Sequence, residues 1–402
     1  MDIKEIFELL GRYAKENPEL CTEIEEFVKK LLGCESDQAG MELLNEFKSA
    51  HPEFAALMKE PADSKKEEPA GKTFPVHDPF SGEIRKRIKL KDHDNHYAGW
   101  RAAIMSLPEK TLPLPVVDGK FLQSAKKIWE ENVYGNEDIL RVVLRHCIEY
   151  GKNGKTTPIL LVGDPGIGKT LVAGIYGKIL NLPCTVLSGP TAVAGRGLAG
   201  APNIYSGASA GIIVQSMIRH NAGHPVICLD ELDKTLTALG RDSGFQDELL
   251  SVLDDSSEHW YDNYLEIEVD ASHIPFIFTA NYKEKISLPL LDRMEMVEMK
   301  APSKEMLHSI TRKITVPDTL SRYDDGHVSI QDREVDMLVD MLWDSGNHSC
   351  RAYQKAFSQL VSDAYLDSLE KGGEICISEE RVRKTAAMWQ RNEKAKSIGF
   401  VI

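Results

Sequence analysis

The chain has 402 residues, 42% of them hydrophobic and 27% charged, which suits a water-soluble globular protein of two or three domains. Its net charge of −14 argues against nucleic acid as the main partner, although an acidic chain can still carry a local basic groove. No apolar run approaches the roughly 20 residues that span a bilayer, and the acidic, amphipathic start MDIKEIFELLGRY lacks the basic and apolar regions of a secretion signal, so a cytoplasmic protein without a membrane partner is expected.

Helical periodicity opens the chain: Ile3, Ile6, Phe7 and Leu10, then Ile24, Phe27, Val28, Leu31 and Leu32, then Leu43, Leu44, Phe47, Phe54 and Leu57. This predicts a small helical module over residues 1–59. EPADSKKEEPAGKT follows at 60–73, charged and broken by Pro and Gly, and reads as a linker over 60–74. Residues 75–125 form a connecting region. Its basic run IRKRIKLK (84–91) interleaves Ile84, Ile88 and Leu90 with the charges, which fits a solvated strand or helix face better than a nucleic-acid patch. Residues 100–107 look helical and stop at Pro108. The seven cysteines, scattered without CxxC pairs or zinc-ligand spacing, read as reduced thiols.

From residue 126 to 301 short apolar runs at 159–162, 185–187, 226–229, 275–279 and 296–299 alternate with helical stretches. This predicts an α/β domain with a parallel sheet covered on both faces. Within it, PILLVGDPGIGKT runs from a buried strand into the phosphate loop GDPGIGKT (163–170) and on into an apolar-periodic helix. Glycines let backbone N–H groups wrap phosphates closely, and the helix N-terminus adds partial positive charge there. The loop and its neighbours Asp164, Pro165, Gly166, Ile167, Gly168, Lys169, Thr170 and Leu171 are therefore candidate ATP contacts. Lys169 reaches the β- and γ-phosphates, and the Thr170 hydroxyl binds Mg²⁺.

Downstream, PVICLDE ends an apolar run in Asp230 and Glu231. An Asp at the strand's carboxyl end suits Mg²⁺ through its water shell, and a Glu beside it can polarise the attacking water. An apolar run followed by Asp-Glu is common; after a phosphate loop it becomes specific. Beyond Pro302 the strand signal fades, and helical stretches around Leu338, Leu342, Phe357, Leu360, Val382 and Trp389 predict a helical lid and tail over 302–402.

From residue 133 to 351 the chain resembles the ATPase module of Lon proteases, a family within the P-loop AAA+ class. The resemblance is carried by NVYGNEDIL (132–140), the phosphate loop, IYSGASAGIIVQSM (204–217), LDELDK (229–234), NYLEIEVDASHIPFIFTAN (263–281) and LPLLDRMEMVEM (288–299). GWRAAIMSLP (99–108) is also similar to the helix leading into that module. The resemblance implies nucleotide contacts at Tyr134 and Gly135, a sensor-1 role for Asn281 in orienting the water, and a sensor-2 role for Arg351 in CRAYQKAF. It implies that Arg293 is an arginine finger acting in a neighbouring subunit's site, hence a ring, a hexamer in this class. It implies that Tyr205 grips an extended polypeptide in a central pore, in a loop made mobile by GRGLAGAPNIYSGASAG (195–211). The bland alternatives are a surface charge for each arginine and a half-buried packing residue for the tyrosine.

The departures are as informative. Ser206 replaces the aliphatic residue that usually follows the pore aromatic. A peptidase domain and the large substrate-binding domain of Lon are not expected in this chain, so it reads as a Lon-like motor without its protease. The apolar tail SIGFVI (397–402) is either the last packed strand of the lid or a docking segment for a partner. Three functions follow: a ring motor remodelling or threading protein, on its own client or for a separately encoded effector; a nucleotide-gated switch or scaffold controlling a partner in a defence or signalling complex; and a nucleic-acid motor, which the charge disfavours.

Overall fold

The computed structural model describes residues 10, 13, 17, 20–32, 37–51, 54, 72–76, 98–195, 197–235, 244–323 and 328–397. The apolar positions before Leu10, Leu57, the linker at 60–71, the basic run at 84–91 and the tail after Ser397 lie outside them.

The chain divides into two compact units, residues 1–70 with 78–105, and residues 71–77 with 106–402. In the first, α1 (Cys21–Leu32) and α2 (Asp37–Ala50) turn apolar stripes toward each other. Ile24, Phe27 and Leu31 bury against Leu44 and Phe47, with Leu10, Tyr13 and Phe54 completing the cluster. Phe27 and Phe47 stack with ring centroids 4.0 Å apart. α3 (Ala98–Met105), read from the sequence as part of the connecting region, belongs to this unit and buries Trp100 and Ile104 one turn apart.

The second unit begins with α4 (Gly119–Asn132), capped by an Asp118 carboxylate that accepts from Phe121 N at 2.8 Å, and α5 (Glu137–Asn153). β1 (Ile159–Val162), α6 (Lys169–Leu180), β2 (Cys184–Ser188), α7 (Ile212–His220), β3 (Val226–Asp230) and α8 (Phe245–Val252) alternate after them. An antiparallel hairpin of β4 (Trp260–Asp262) and β5 (Ile267–Val269) precedes β6 (Phe276–Ala280) and β7 (Glu295–Glu298). Strands β2-β3-β6-β1-β7 form one sheet, all parallel. β1 and β6 are buried along their whole length, as strands covered on both faces must be. The α/β reading and all five strands expected from the sequence are present; the three-residue strands of the hairpin were not anticipated.

The lid follows with α9 (Lys304–Ile310), one π-helical turn at Thr311–Thr315, α10 (Val316–Leu320), α11 (Asp332–Asp344), α12 (Cys350–Lys371) and α13 (Glu379–Ser397). It has its own apolar core, in which Leu338, Leu342, Tyr353, Phe357, Leu360 and Val382 are buried. Lys304 and His308 of α9, with Arg312 in the π turn, stand at helical spacing opposite Asp336 and Asp340 of α11. Lys304 pairs with Asp340 at 2.9 Å, His308 bridges both carboxylates at 2.9 and 3.0 Å, and Arg312 pairs with Asp336. No helix among the described residues is long and apolar enough to cross a membrane.

Candidate functional site

Parallel strands deliver their carboxyl ends to one edge, and the register decides which residues meet there. Val162 pairs with Ala280, so Gly163 lies beside Asn281. Leu229 pairs with Phe278, so Asp230 lies beside Thr279. The crevice above holds a cavity of about 310 Å³ lined by Tyr134, the loop residues Pro165, Gly166, Ile167, Gly168, Lys169, Thr170 and Leu171, by Asp230, Glu231 and Asn281 from the strand ends, and by Arg351 from the lid.

Gly166 and Gly168 take φ values of +80° and +103°, the left-handed region that a Cβ disfavours. Gly163 is held by crowding instead: a Cβ there would come within 2.4 Å of the Met299 carbonyl oxygen. The glycines thus curl the backbone around Lys169. That ammonium donates to the carbonyls of Gly163 and Asp164 at 2.7 and 2.8 Å and to Asn281 Oδ1 at 2.9 Å. Burial pulls its pKa below the ordinary lysine range, with Arg351 adding to the fall, while Asp230, Asp233 and Asp164 oppose it. The result is a cation in a crevice with acidic neighbours, ready to exchange neutral acceptors for anionic ones.

Glu231 is the first residue past β3 and has a φ of +59°, rare for a side chain with a Cβ. Its N–H donates to Thr279 Oγ1 at 3.0 Å, and the Thr279 hydroxyl donates in turn to Asp230 Oδ1. Thr279 therefore orients both acidic residues at once. Glu231 Oε1 accepts from Lys234 Nζ at 2.5 Å. Asp233, almost completely buried, accepts from the Asn281 backbone N–H at 3.1 Å and fixes where that side chain begins. Sequence reasoning missed Thr279 and Asp233. The available signal for Thr279 was a single polar residue inside the apolar strand FIFTA.

The lid closes the far wall. Ser349 Oγ donates to the Gly166 carbonyl at 3.4 Å, the Arg351 N–H reaches the same oxygen at 3.4 Å, and a Cβ on Gly166 would lie 2.2 Å from Ser349 Oγ. Met306, Ile310 and Ile314 line the cavity at spacings of four along α9 and the π turn, an apolar wall suited to a flat ring. Lys313 lies over the Tyr134 ring at 5.1 Å. Gly135 and Asp164 do not line the cavity. Gly135 shapes it from behind, with φ +64°, its carbonyl accepting from Trp129 Nε1 at 3.2 Å and Met306 packed where a Cβ would go. Asp164 contributes its backbone carbonyl to Lys169.

Two further candidates stand away from this cavity altogether. Arg293 lines another, of about 400 Å³, where its guanidinium pairs with both oxygens of Asp254 at 3.0 and 3.2 Å and donates to the Pro289 carbonyl at 3.1 Å. Tyr205 is 61% exposed and its neighbour Ile204 70%, on the Gly-rich loop.

Residues 159–301 match the AAA family, described as the ATPase family associated with various cellular activities. A Lon protease of Clostridium acetobutylicum is 27% identical over 295 residues, covering 72% of this chain and 37% of the relative. A Lon protease of Chlamydia trachomatis is 36% identical over 200 residues, 49% of this chain and 24% of the relative. Among solved structures, a Thermogota maritima RuvB mutant matches 64% of this chain and 70% of its own, with 19% identity and a TM-score of 0.43. The chain spans well under half the length of the curated relatives it matches.

Proposed function

We propose, from the premise that residues 159–301 are an AAA-family ATPase domain resembling that of Lon proteases, that this chain is an ATP-hydrolysing ring motor that remodels or threads protein. The observation that carries the proposal is the convergence of Lys169, Thr170, Asp230, Glu231, Asn281 and Arg351, from four separate segments, on one cavity.

ATP enters with its phosphates on the Gly166–Gly168 backbone, and Lys169 exchanges its three protein acceptors for phosphate oxygens. Thr170 and Asp230 are hard oxygen donors on the same wall and fit Mg²⁺, with Thr279 keeping one Asp230 oxygen in place. When bound, Mg²⁺ supplies charge neutralisation at the phosphates. Glu231 takes the proton of the attacking water, which requires Lys234 to yield its hold on Oε1, and Asn281 orients that water. Arg351 couples the phosphate loop to the lid through Gly166. Arg293, absent from its own chain's cavity, serves the next subunit of a hexamer.

Tyr205 and Ile204 present exposed apolar surface on a Gly-rich loop, which supports contact with a passing polypeptide of varied sequence. The test is the ATPase rate with and without α-casein as an unstructured client. Wild type is expected to be stimulated, and Tyr205→Ala to keep its unstimulated rate but lose the response. Full client-dependent activity in Tyr205→Ala, with loss in Glu231→Gln, moves the reading to a nucleotide-gated switch.

A further inference from the structure

The Gly-rich loop leaves the body near Gly197 and returns at Gly211, with Ile204 and Tyr205 in the excursion. Its two arms run very close together. A Cβ on Gly211 would lie 1.9 Å from the Leu198 carbonyl oxygen, and one on Gly200 would lie 2.5 Å from the Gly211 nitrogen. Ala201 N donates to Ser209 O at 3.3 Å across them.

Both arms are also gripped from outside, by the last residue of β4 and the turn that follows it. Asp262 is fully buried. Its Oδ2 accepts from Gly211 N at 2.8 Å, while Oδ1 accepts from Tyr264 N and Leu265 N at 3.0 and 2.8 Å. The next residue holds the other arm: Asn263 N donates to Ala199 O at 2.7 Å, and its side-chain amide donates to Gly200 O at 3.2 Å. Asn203, from the loop itself, donates back to Tyr264 O at 3.2 Å. A buried carboxylate is a costly way to fill a core position. Here it does what a neutral amide cannot, because only a carboxylate offers acceptors on both of its terminal atoms. Burial raises the carboxyl to about 6, with the three backbone donors opposing that rise.

We propose that the Asp262–Asn263 turn is a clasp that positions the Tyr205 loop, which makes Asp262 a positioning residue for contact with a threaded polypeptide. The proposal rests on the threading reading above. Asp262 shapes the hairpin turn and grips the returning arm with one side chain, so the loop and the hairpin move as one body.

The test uses the full chain with ATP and Mg²⁺, hydrogen exchange of backbone amides, and α-casein as the client probe. In Asp262→Asn, losing a buried charge-assisted bond accelerates exchange of the 198–211 amides by about tenfold, with the β1 and β6 amides unchanged. The casein concentration for half-maximal stimulation rises severalfold, and maximal turnover stays within about twofold of wild type, since the loss is in binding geometry. Unchanged loop exchange overturns the clasp, whatever casein does. Faster loop exchange with an unchanged casein requirement overturns the positioning role. Should Asp262→Asn also deprotect the sheet, Asn263→Ala, which removes only the bond to the Gly200 carbonyl, decides instead: faster exchange confined to 198–211 supports the clasp, and unchanged exchange overturns it. Retained casein stimulation in Tyr205→Ala, or none in wild type, overturns the threading reading and the clasp's role in it, while leaving the loop exchange to report on the clasp itself.

Discussion

Glu231 adopts a backbone conformation that costs a non-glycine residue about 1–2 kcal/mol, and the structure shows what that conformation achieves. The left-handed turn points its N–H at Thr279, whose hydroxyl is committed to Asp230, so the two carboxylates are set relative to each other by one side chain. Glu231→Gln keeps this backbone arrangement and removes only the proton acceptor. ATP binding should therefore persist, while turnover falls by about 10²- to 10⁴-fold. Titration with a fluorescent ATP analogue beside phosphate release checks both halves, and a wild-type hydrolysis rate in the variant removes Glu231 from its role. Lys169, Thr170, Asp230 and Glu231 were legible in the sequence because each sits next to a strand end or loop that announces itself locally. Thr279 and Asp233 were not, because their partners lie across the sheet, some fifty residues away, and only the β3–β6 register brings them together.

Elements join through buried polar groups as well as apolar ones, and one such junction sets a pH dependence. Tyr150 of α5 donates to the His273 carbonyl at 2.9 Å, so its oxygen accepts from His224 Nδ1 at 3.0 Å. His224 is fully buried, and its Nε2 has no partner among the described residues. Burial, with His273 adding a smaller push, lowers its pKa to about 3. The unfolded chain takes up this proton near pH 6.5 and the folded chain does not until far lower, so folding stability falls as pH drops from 6.5 toward 3. Between pH 7 and 5 the loss is about 2 kcal/mol. Asp262 works in the opposite sense, since its raised pKa means that its stability contribution grows as pH falls through about 6. His224→Gln should therefore be less acid-sensitive than wild type, read from urea midpoints at pH 7 and pH 5; an identical acid loss in both proteins places the titrating group elsewhere. The same scale explains what sequence patterning missed. The five sheet strands show in their apolar runs, whereas β4 and β5 have three residues each, too few for a periodicity, and they matter through hydrogen bonds to a distant loop.

At the scale of the whole molecule the question is whether one chain contains a complete site. Arg293 is half-buried and lines a cavity other than the one that gathers Lys169, Asp230 and Glu231. Its pairing with Asp254 is an exposed contact, which is weak and can open toward a stronger anion on a neighbouring subunit. Arg293→Ala should therefore bind ATP and fail to hydrolyse it, and Lys169→Ala should fail to bind it. In the proposed ring the two defects lie on opposite sides of a shared interface. In a mixed ring, an Arg293→Ala subunit has an intact nucleotide site, and a Lys169→Ala neighbour brings an intact guanidinium to it. With random one-to-one assembly, about a quarter of the interfaces carry that productive pairing, so the mixture should recover up to roughly a quarter of the wild-type rate. A finger acting within its own chain predicts no recovery at any ratio, because every subunit then lacks either its lysine or its arginine. Mass photometry on differently tagged variants establishes that the subunits mix. Co-assembled rings that remain inactive, or a wild-type rate per chain that is unchanged on dilution to monomer, would rule out an arginine acting between subunits.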